Sequence, residues 1–362
     1  MRAEAFATLS KCENKKILAV TILRLASVVV GYWFFAAVPA HATNAVGFRE
    51  IDVDKGGIRP LHVGVWYPTE DSGKPSIVGE NGAFYGVPVV RDAIRDLKLR
   101  PLIVVSHGYG GSWRNLDWLA VVLAEQGYIV AAPDHPGTSA FNRDPAQEAR
   151  FWERPRDLSR TIDALVADPR LAGKIDLNRI AAIGHSLGGW TVTALAGGRF
   201  DAAHFEKDCK ANNSLRACAI EHEFGLDPPQ PERNMGDPRL KAFVSLDLGL
   251  ARGFSPESLA AIHVPFLLIG AGVDVGGLPA ALESGYLAEH LPKKSSTYIV
   301  IPDAMHFSFV GLCKPGAAAL IEKEQPGDGV VCKDGGERSR EAIHHEVAEL
   351  VIGFLAKALP AN

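Results

Sequence analysis

The stretch RIAAIGHSLGGW, residues 179–190, decides the fold of this chain. Its first half is a short apolar run typical of a strand buried on both faces of a sheet, and the apolar segment after the glycines is typical of a helix. Between them lies G-x-S-x-G, the pattern of a sharp strand-to-helix turn that exposes a serine. Gly184 and Gly188 lack Cβ atoms, so the strand and the helix can approach closely. A plain structural turn is the alternative, but this context favours Ser186 as a nucleophile.

The rest of the chain repeats the alternation of strand and helix. Two strand-like runs, 47–53 and 60–68, are joined by a hairpin signal, and further apolar strand runs occupy 101–106, 128–134, 180–184, 242–247, 265–270 and 297–302. Helical patterns separate most of the later runs, which indicates an α/β fold. We predict a mainly parallel central sheet with an antiparallel N-terminal edge and helices on both faces. The charged, Pro-rich range 199–239 interrupts the rhythm and predicts a lid-like insertion after the elbow helix.

A serine nucleophile needs a base, and the base needs an acid. His306 follows the strand run 297–302, where the histidine is expected because such folds carry the order Ser, acid, His. Two aspartates could supply the acid: Asp274 follows the run 265–270, and Asp247 ends the run 242–247. The chain-order rule favours Asp274, with Asp247 as the alternative.

A Gly-rich loop, His107–Gly111, follows the strand run 101–106. A loop at this position can supply the second N–H group of an oxyanion hole. We therefore predict that the backbone amides of Tyr109 and Leu187 stabilise the oxyanion, since Leu187 begins the helix after the serine. The rings of Tyr109 and Trp190 are candidates to line the acyl pocket. A Gly-rich structural turn is the alternative for the loop.

The N-terminal residues have the pattern of an export signal. A basic segment precedes the apolar run Leu25–Ala37, and Ala40-His41-Ala42 matches a small-x-small cleavage site. An uncleaved membrane anchor is the alternative, but Arg24 interrupts the longer apolar segment that it would need. We predict a signal peptide over residues 1–42, a catalytic domain over 43–362, no stable membrane span after cleavage, and a periplasmic or secreted location.

The cysteine count is consistent with export. Cys12 falls in the predicted signal peptide, and Cys209, Cys218, Cys313 and Cys332 remain. Four cysteines allow three pairings. The near-neighbour pairing, Cys209 with Cys218 and Cys313 with Cys332, is preferred because it closes two local loops. Without a CxxC pair a zinc site is disfavoured.

The predicted chemistry sets what else the protein needs. A serine, a histidine and a carboxylate suffice for ester hydrolysis, so we predict no metal and no organic cofactor. The chain carries a formal net charge of −4 and lacks a basic patch, which argues against nucleic acid as a partner. A small-molecule ester is the expected partner, and the sequence specifies no oligomeric state.

Several longer motifs carry a more specific resemblance. They are VWYPT, LIVVSHGYGGS, GYIVAAPDHPGTS, RPRDLSRTIDAL, GHSLGGW, SPESLAAIHVP and HFSFVGLC, and they span most of residues 47–358. With them the chain resembles the α/β-hydrolase superfamily, in particular the exported branch of the group that contains platelet-activating-factor acetylhydrolases and bacterial predicted dienelactone hydrolases. The resemblance implies an α/β-hydrolase fold and esterase chemistry on short acyl esters.

The resemblance also bears on individual residues. It implies Ser186 as nucleophile, His306 as base and the Tyr109 and Leu187 amides as oxyanion hole, and the acetylhydrolase branch has an aspartate where Asp247 stands. Enzymes that open dienelactone use cysteine at the elbow, whereas this chain has serine. Bacterial cutinase-like polyester hydrolases are also similar around Gly108-Tyr109.

These observations lead to one functional prediction with two alternatives. We predict an exported serine hydrolase that cleaves short-acyl carboxylic esters through a Ser-His-Asp triad and an acyl-enzyme. The first alternative is a cutinase- or lipase-like hydrolase of polyester or long-chain esters. The second is a non-catalytic binding protein built on a hydrolase scaffold.

Overall fold

A ten-stranded sheet forms the centre of the computed structural model, which describes residues 45–212, 218 and 234–359. The strands are β1 Ala45–Val53, β2 Leu61–Thr69, β3 Ser76–Val78, β4 Val87–Arg91, β5 Leu99–Ser106, β6 Ile129–Asp134, β7 Lys174–His185, β8 Leu240–Leu246, β9 Phe266–Val273 and β10 Ser296–Met305. Their order across the sheet is β10-β9-β8-β7-β5-β6-β2-β1-β4-β3. The predicted signal peptide, residues 1–42, lies outside the described residues.

The strand directions confirm the predicted sheet. From β6 to β10 every neighbouring pair is parallel, whereas β2 is antiparallel to both β6 and β1. The parallel strands β5, β6, β8 and β9 are near-continuous buried runs, because helices cover both faces of such strands. The hairpin of β1 and β2 makes the antiparallel N-terminal part.

The helices pack on both faces of the sheet. In the described residues they are α1 Asp117–Glu125, α2 Pro145–Glu148, α3 Arg154–Ala167, α4 Leu187–Leu195, α5 Ala202–Ala211, α6 Pro256–Ala260, α7 Ser284–His290, α8 Ala317–Glu324 and α9 Arg340–Ala358. Successive side chains of β5 alternate between two apolar cores, with Leu102 in one and Ile103 in the other. Helices α1 and α9 contribute to the core of Ile103, and α3, α4, α5, α6 and α7 contribute to the core of Leu102.

Two regions differ from the simple alternation. The polar segment between β2 and β5 contains the short strands β3 and β4, because Val89 and Val90 bury their side chains and β4 pairs in parallel with β1. The predicted insertion begins with α5, whose Phe205 and Cys209 are buried in the core. Residues 213–217 and 219–233 of the insertion lie outside the described residues.

The four cysteines pair as preferred from the sequence. Disulfides join Cys209 to Cys218 and Cys313 to Cys332. Within residues 45–212, 218 and 234–359, no helix has both the length and the apolar character needed to cross a membrane.

Candidate active site

Ser186 occupies the turn between β7 and α4. Its backbone has φ 55° and ψ −121°, a conformation that non-glycine residues rarely adopt. Backbone packing holds it there: a Cβ at Gly184 would lie 2.0 Å from Gly188 O, and a Cβ at Gly188 would lie 1.9 Å from Ser106 O. The Ser186 N–H donates to Leu246 O at 3.0 Å. The turn therefore projects the half-buried Ser186 side chain from the carboxyl end of β7.

His306 faces the serine hydroxyl. It begins the short 3₁₀ helix His306–Phe309 directly after β10, and its Nε2 lies 2.9 Å from Ser186 Oγ. Its Nδ1 lies 2.7 Å from Asp247 Oδ2. A carboxylate can only accept, so Nδ1 carries a proton and Nε2 is left to accept from the serine. His306, the residue predicted from the sequence as the base, thus lies within hydrogen-bond distance of Ser186.

Asp247 is anchored by the neighbouring strand β9. It follows β8 with φ 43°, and its N–H donates to Ile269 O at 2.7 Å. Its second carboxylate oxygen, Oδ1, accepts from the Ala271 N–H at 2.8 Å. Asp247 and His306 are 3% and 4% exposed, so water has little access to the contact between them.

Asp274, the acid favoured from the sequence, does not contact His306, and this assignment is corrected in favour of Asp247. The exposed Asp274 carboxylate accepts from the N–H groups of Gly276, Gly277 and Leu278, so it closes its own turn. Strand order explains the difference. Strand β8 lies directly beside β7, whereas β9 lies one strand further from the serine.

The loop His107–Gly111 passes next to the serine. A Cβ at Gly108 would lie 3.1 Å from Ser186 Cβ, so the backbone of this loop approaches Ser186 closely. Gly110 has φ 69°, and its N–H donates to Thr138 O at 2.9 Å. The Tyr109 hydroxyl donates to Glu148 Oε1, and the Arg143 guanidinium lies 4.6 Å from the centre of the Tyr109 ring. Tyr109 is half-buried, which leaves part of its surface open.

Trp190, the second predicted pocket residue, belongs to the core. It is 2% exposed and packs against Phe151, Phe200 and Phe254. The helix α4 is buried along its whole length, so a side chain one turn after Ser186 has almost no surface to offer a substrate. The structure therefore does not support Trp190 as a substrate contact.

His185, inside the elbow, packs against His306. Its Nε2 donates to the His306 carbonyl at 2.8 Å, and the two ring centres lie 4.8 Å apart. Burial lowers the pKa of His185 to about 3, so the ring is neutral and places no charge beside His306.

A buried polar network behind the loop 107–111 escaped the sequence analysis. Arg154, Asp157 and His135 are fully buried. Asp157 accepts two hydrogen bonds from Arg59 and one from His135 Nδ1. A sequence signal existed: Arg154 lies four residues before Leu158 and eight before Ile162, on the apolar stripe of α3, where a charge marks a buried polar contact.

One group of potential metal ligands occurs within the described part of the chain. Asp208, Cys209 and Cys218 bring their ligand atoms within 4.8 Å of one another. Because the two sulfurs form a disulfide, they cannot bind a metal as thiolates. The group therefore does not make a metal site in this state.

The fold and the site together define a class of protein. An open, mainly parallel sheet, with a serine at a strand-to-helix elbow and a histidine after the last strand, is the α/β-hydrolase arrangement. A family profile described as serine aminopeptidase, S33 matches residues 98–205, which include Tyr109 and Ser186.

Three characterised relatives match parts of the chain. Cutinase est2 of Thermobifida alba is 33% identical over 101 residues, covering 27% of this chain and 31% of its own length. Bis(hydroxyethyl) terephthalate hydrolase of Streptomyces coelicolor is 25% identical over 207 residues, covering 57% and 50%. Platelet-activating factor acetylhydrolase of Cavia porcellus is 32% identical over 133 residues, covering 25% and 30%. The chain thus spans between about a third and a half of the length of these relatives.

A solved structure matches over nearly the whole chain. The ferulic acid esterase from Streptomyces cinnamoneus superposes with a TM-score of 0.58 at 22% identity, covering 89% of this chain and 92% of that one. At this identity the match speaks for the fold. Together with the topology and the sequence matches, it confirms the predicted α/β-hydrolase fold.

Proposed function

We propose that this protein is an exported serine hydrolase that cleaves carboxylic esters. The observation that carries the proposal is the series of contacts from Ser186 Oγ to His306 Nε2, 2.9 Å, and from His306 Nδ1 to Asp247 Oδ2, 2.7 Å. A serine, a base and a buried acid in this order are the requirements of acyl transfer. The relatives that match parts of the chain are named as ester hydrolases, which supports the same reaction.

The reaction proceeds in two halves. His306 takes the Ser186 proton while Oγ attacks the ester carbonyl, and Asp247 stabilises the imidazolium that forms. The Tyr109 and Leu187 N–H groups donate to the tetrahedral oxyanion. His306 then protonates the alcohol as the carbon–oxygen bond breaks, leaving an acyl group on Ser186. A water molecule attacks this acyl-enzyme with His306 again as base, and Ser186 and the carboxylic acid are released.

Short acyl groups are the substrates we favour. This choice rests on the resemblance to the acetylhydrolases, one of which is 32% identical to part of the chain. A second candidate is a polyester or long-chain ester hydrolase, because relatives named cutinase and bis(hydroxyethyl) terephthalate hydrolase also match. The two candidates differ in how turnover depends on acyl-chain length.

Export rests on the N-terminal pattern and on the two disulfides. Disulfides persist in oxidising compartments such as the periplasm and the extracellular space. The proposed mature protein begins after Ala42, and it acts in the periplasm or outside the cell.

The first experiment measures the hydrolysis of p-nitrophenyl esters from acetyl to dodecanoyl by residues 43–362. We expect activity to fall steeply beyond butyryl, whereas persistent activity on long chains would support the polyester or lipase candidate. Ser186→Ala should lower kcat/KM by at least about 1,000-fold without unfolding the protein, because it removes the nucleophile. Wild-type activity in this variant would overturn the proposed mechanism.

Two histidine variants make a matched control. His306→Asn should lose activity to a similar extent, because the base is gone. His344 is buried like His306, but its Nε2 donates to the Val310 carbonyl at 3.0 Å, and it has no hydrogen bond to Ser186 or Asp247. His344→Asn should therefore keep its kcat below its melting temperature. A folded wild-type protein that does not react with a fluorophosphonate probe would instead favour the binding-protein alternative.

A further inference from the structure

We propose that Arg154 is a positioning residue that holds the two N–H donors of the oxyanion hole at a fixed separation. The inference rests on the proposed function, in which the donors are the amides of Leu187 and Tyr109. These amides belong to different chain segments, one at the start of α4 and the other in the loop after β5. Their relative position is therefore set by tertiary contacts.

On the nucleophile side, Arg154 reaches Leu187 through one intermediate. Arg154 Nε donates to Thr191 Oγ1 at 3.0 Å, and Thr191 Oγ1 donates to Leu187 O at 2.8 Å. Both bonds are buried. The first turn of α4 is thereby tied to the guanidinium of α3.

On the other side, the same guanidinium holds the segment that leads to Tyr109. Arg154 Nη2 donates to the His107 carbonyl and to Ser106 Oγ, the latter at 3.2 Å. Arg154 Nη1 donates to Thr138 Oγ1 at 2.7 Å, and the Thr138 carbonyl accepts from the Gly110 N–H at 2.9 Å. Tyr109 is thus flanked on both sides by residues connected to Arg154.

The charge state of Arg154 supports a positional role. Arg154 is 0% exposed, and its four acceptors are hydroxyl and carbonyl oxygens, not carboxylates. Burial lowers its pKa to about 9, so the guanidinium stays charged at neutral pH. Burying a cation without a directly bonded carboxylate is costly, and an apolar side chain would avoid that cost. What the guanidinium adds is a rigid set of donors that reach several segments at once.

A positioning role predicts a loss in kcat, not in substrate binding. The oxyanion forms only in the transition state, so displaced donors weaken the transition state and leave the ground state almost unchanged. Small displacements are enough, because a shift of about 1 Å in reacting geometry can cost about 100-fold in rate.

The test compares Arg154→Met with Arg59→Met. Arg59 is another buried arginine of the same polar network. Arg59 bonds Asp157 and Gln147 and makes no bond to Ser106, His107 or Thr191. We expect Arg154→Met to lower kcat about 100-fold at nearly unchanged KM. Arg59→Met should keep kcat within about 3-fold, and Arg154→Lys should recover part of the activity because it restores some donors.

Binding of a boronic acid, which forms a tetrahedral adduct with Ser186, gives a second measurement. The affinity for this analogue should fall by about the same factor as kcat. Equal kcat in Arg154→Met and Arg59→Met would overturn the inference. If Arg154→Met does not fold, Thr191→Val decides, since it cuts only the link to Leu187: a kcat loss of about 10-fold at unchanged KM supports the role, and an unchanged kcat overturns it.

These outcomes are separate from failure of the proposed function. If wild-type protein hydrolyses no ester, or hydrolyses it as fast as Ser186→Ala does, the proposed function fails. If wild type shows Ser186-dependent turnover and the Arg154 variants match their control, only the inference about Arg154 fails.

Discussion

Asp247 and Asp274 end neighbouring strands but meet different surroundings. Asp247 is buried, and its two carboxylate oxygens contact His306 and the Ala271 N–H. Asp274 is exposed. Within the described residues, its carboxylate accepts hydrogen bonds only from N–H groups of its own turn. A residue that orients a histidine must contact it, so this difference in contacts separates the two candidates.

We predict that Asp247→Asn lowers kcat/KM about 1,000- to 10,000-fold, because an amide at this position no longer stabilises the imidazolium or its tautomer. Asp274→Asn is the matched variant and should keep near-wild-type activity, since its contacts are local. Steady-state kinetics of the two purified variants on one p-nitrophenyl ester measure both effects. A large loss in Asp274→Asn with none in Asp247→Asn would reverse the assignment.

Glu283 is a buried carboxylate that contacts the chain a few residues after Asp247. It is 1% exposed, and Oε2 accepts from the Ala251 N–H at 2.7 Å. Burial raises its pKa to about 7, with Arg252 lowering it and Asp247 and Asp208 raising it further. The native state thus holds this proton at pH values where the unfolded chain, with an ordinary pKa of 4.5, has released it.

This shift predicts a pH-dependent stability. Because the folded pKa is the higher one, the contribution of Glu283 is fully present below pH 4.5 and is lost as the pH rises to about 7. The loss amounts to about 3 kcal/mol. Glu283→Gln keeps an acceptor for Ala251 and cannot ionise, so its free energy of unfolding relative to wild type should rise between pH 5 and pH 8. Urea unfolding at both pH values measures this difference, and an equal difference at both would contradict the assignment.

At the scale of the elements, the elbow depends on the close contact of β7, α4 and the end of β5. A Cβ at Gly188 would lie 1.9 Å from the Ser106 carbonyl oxygen, which belongs to the backbone and cannot rotate away. Gly353, in contrast, lies on the exposed face of α9 with nothing within 4 Å of its added Cβ. Alanine at Gly188 therefore tests a steric clash, whereas alanine at Gly353 tests helix propensity alone.

We predict that Gly188→Ala lowers the free energy of unfolding by at least about 2 kcal/mol, because the strand and helix must move apart. Gly353→Ala should raise it by about 0.5–1 kcal/mol, since alanine favours a helix interior. Chemical denaturation of the two variants tests both signs. Stability at the wild-type level in Gly188→Ala would mean that the elbow can relax without cost.

At the scale of the whole molecule, two disulfides close local loops on the hydrolase fold. Cys313 and Cys332 are 19 residues apart, and Cys209 and Cys218 are 9 apart. The first loop follows the His306 turn directly, and it is further held by Arg340, which donates to Gly311 O and Val331 O. The second joins α5 to Cys218 within the insertion.

We predict that Cys313→Ser/Cys332→Ser lowers the free energy of unfolding by about 3 kcal/mol, because the unfolded chain regains the freedom of the open loop. Cys209→Ser/Cys218→Ser should cost slightly less, about 2.5 kcal/mol, since its loop is shorter. Urea unfolding with and without reductant measures both. If reductant destabilised the double variants as much as wild type, the disulfides would not be the source of the effect.

Features that depend on local patterns could be predicted from the sequence alone. Three features each specify one strand and the turn that follows it. They are the apolar run before Gly184, the glycine spacing around Ser186, and the position of His306 after a strand. The order of strand and helix runs was enough for the α/β-hydrolase fold and for its antiparallel N-terminal hairpin. The near-neighbour cysteine pairing was the preferred one of three possible pairings because it closes short loops, and the two disulfides confirm it.

Residues that look equivalent in the sequence are distinguished by their contacts in the folded chain. Asp247 and Asp274 each follow a strand, and the choice depends on β8 lying beside β7 and on which carboxylate is buried. Trp190 and Arg154 were misjudged or missed because the direction of a side chain depends on which helices and loops pack against it. Such contacts join residues far apart in the chain, as Arg154 joins α3 to Ser106 and Thr191, and a local pattern carries no information about them.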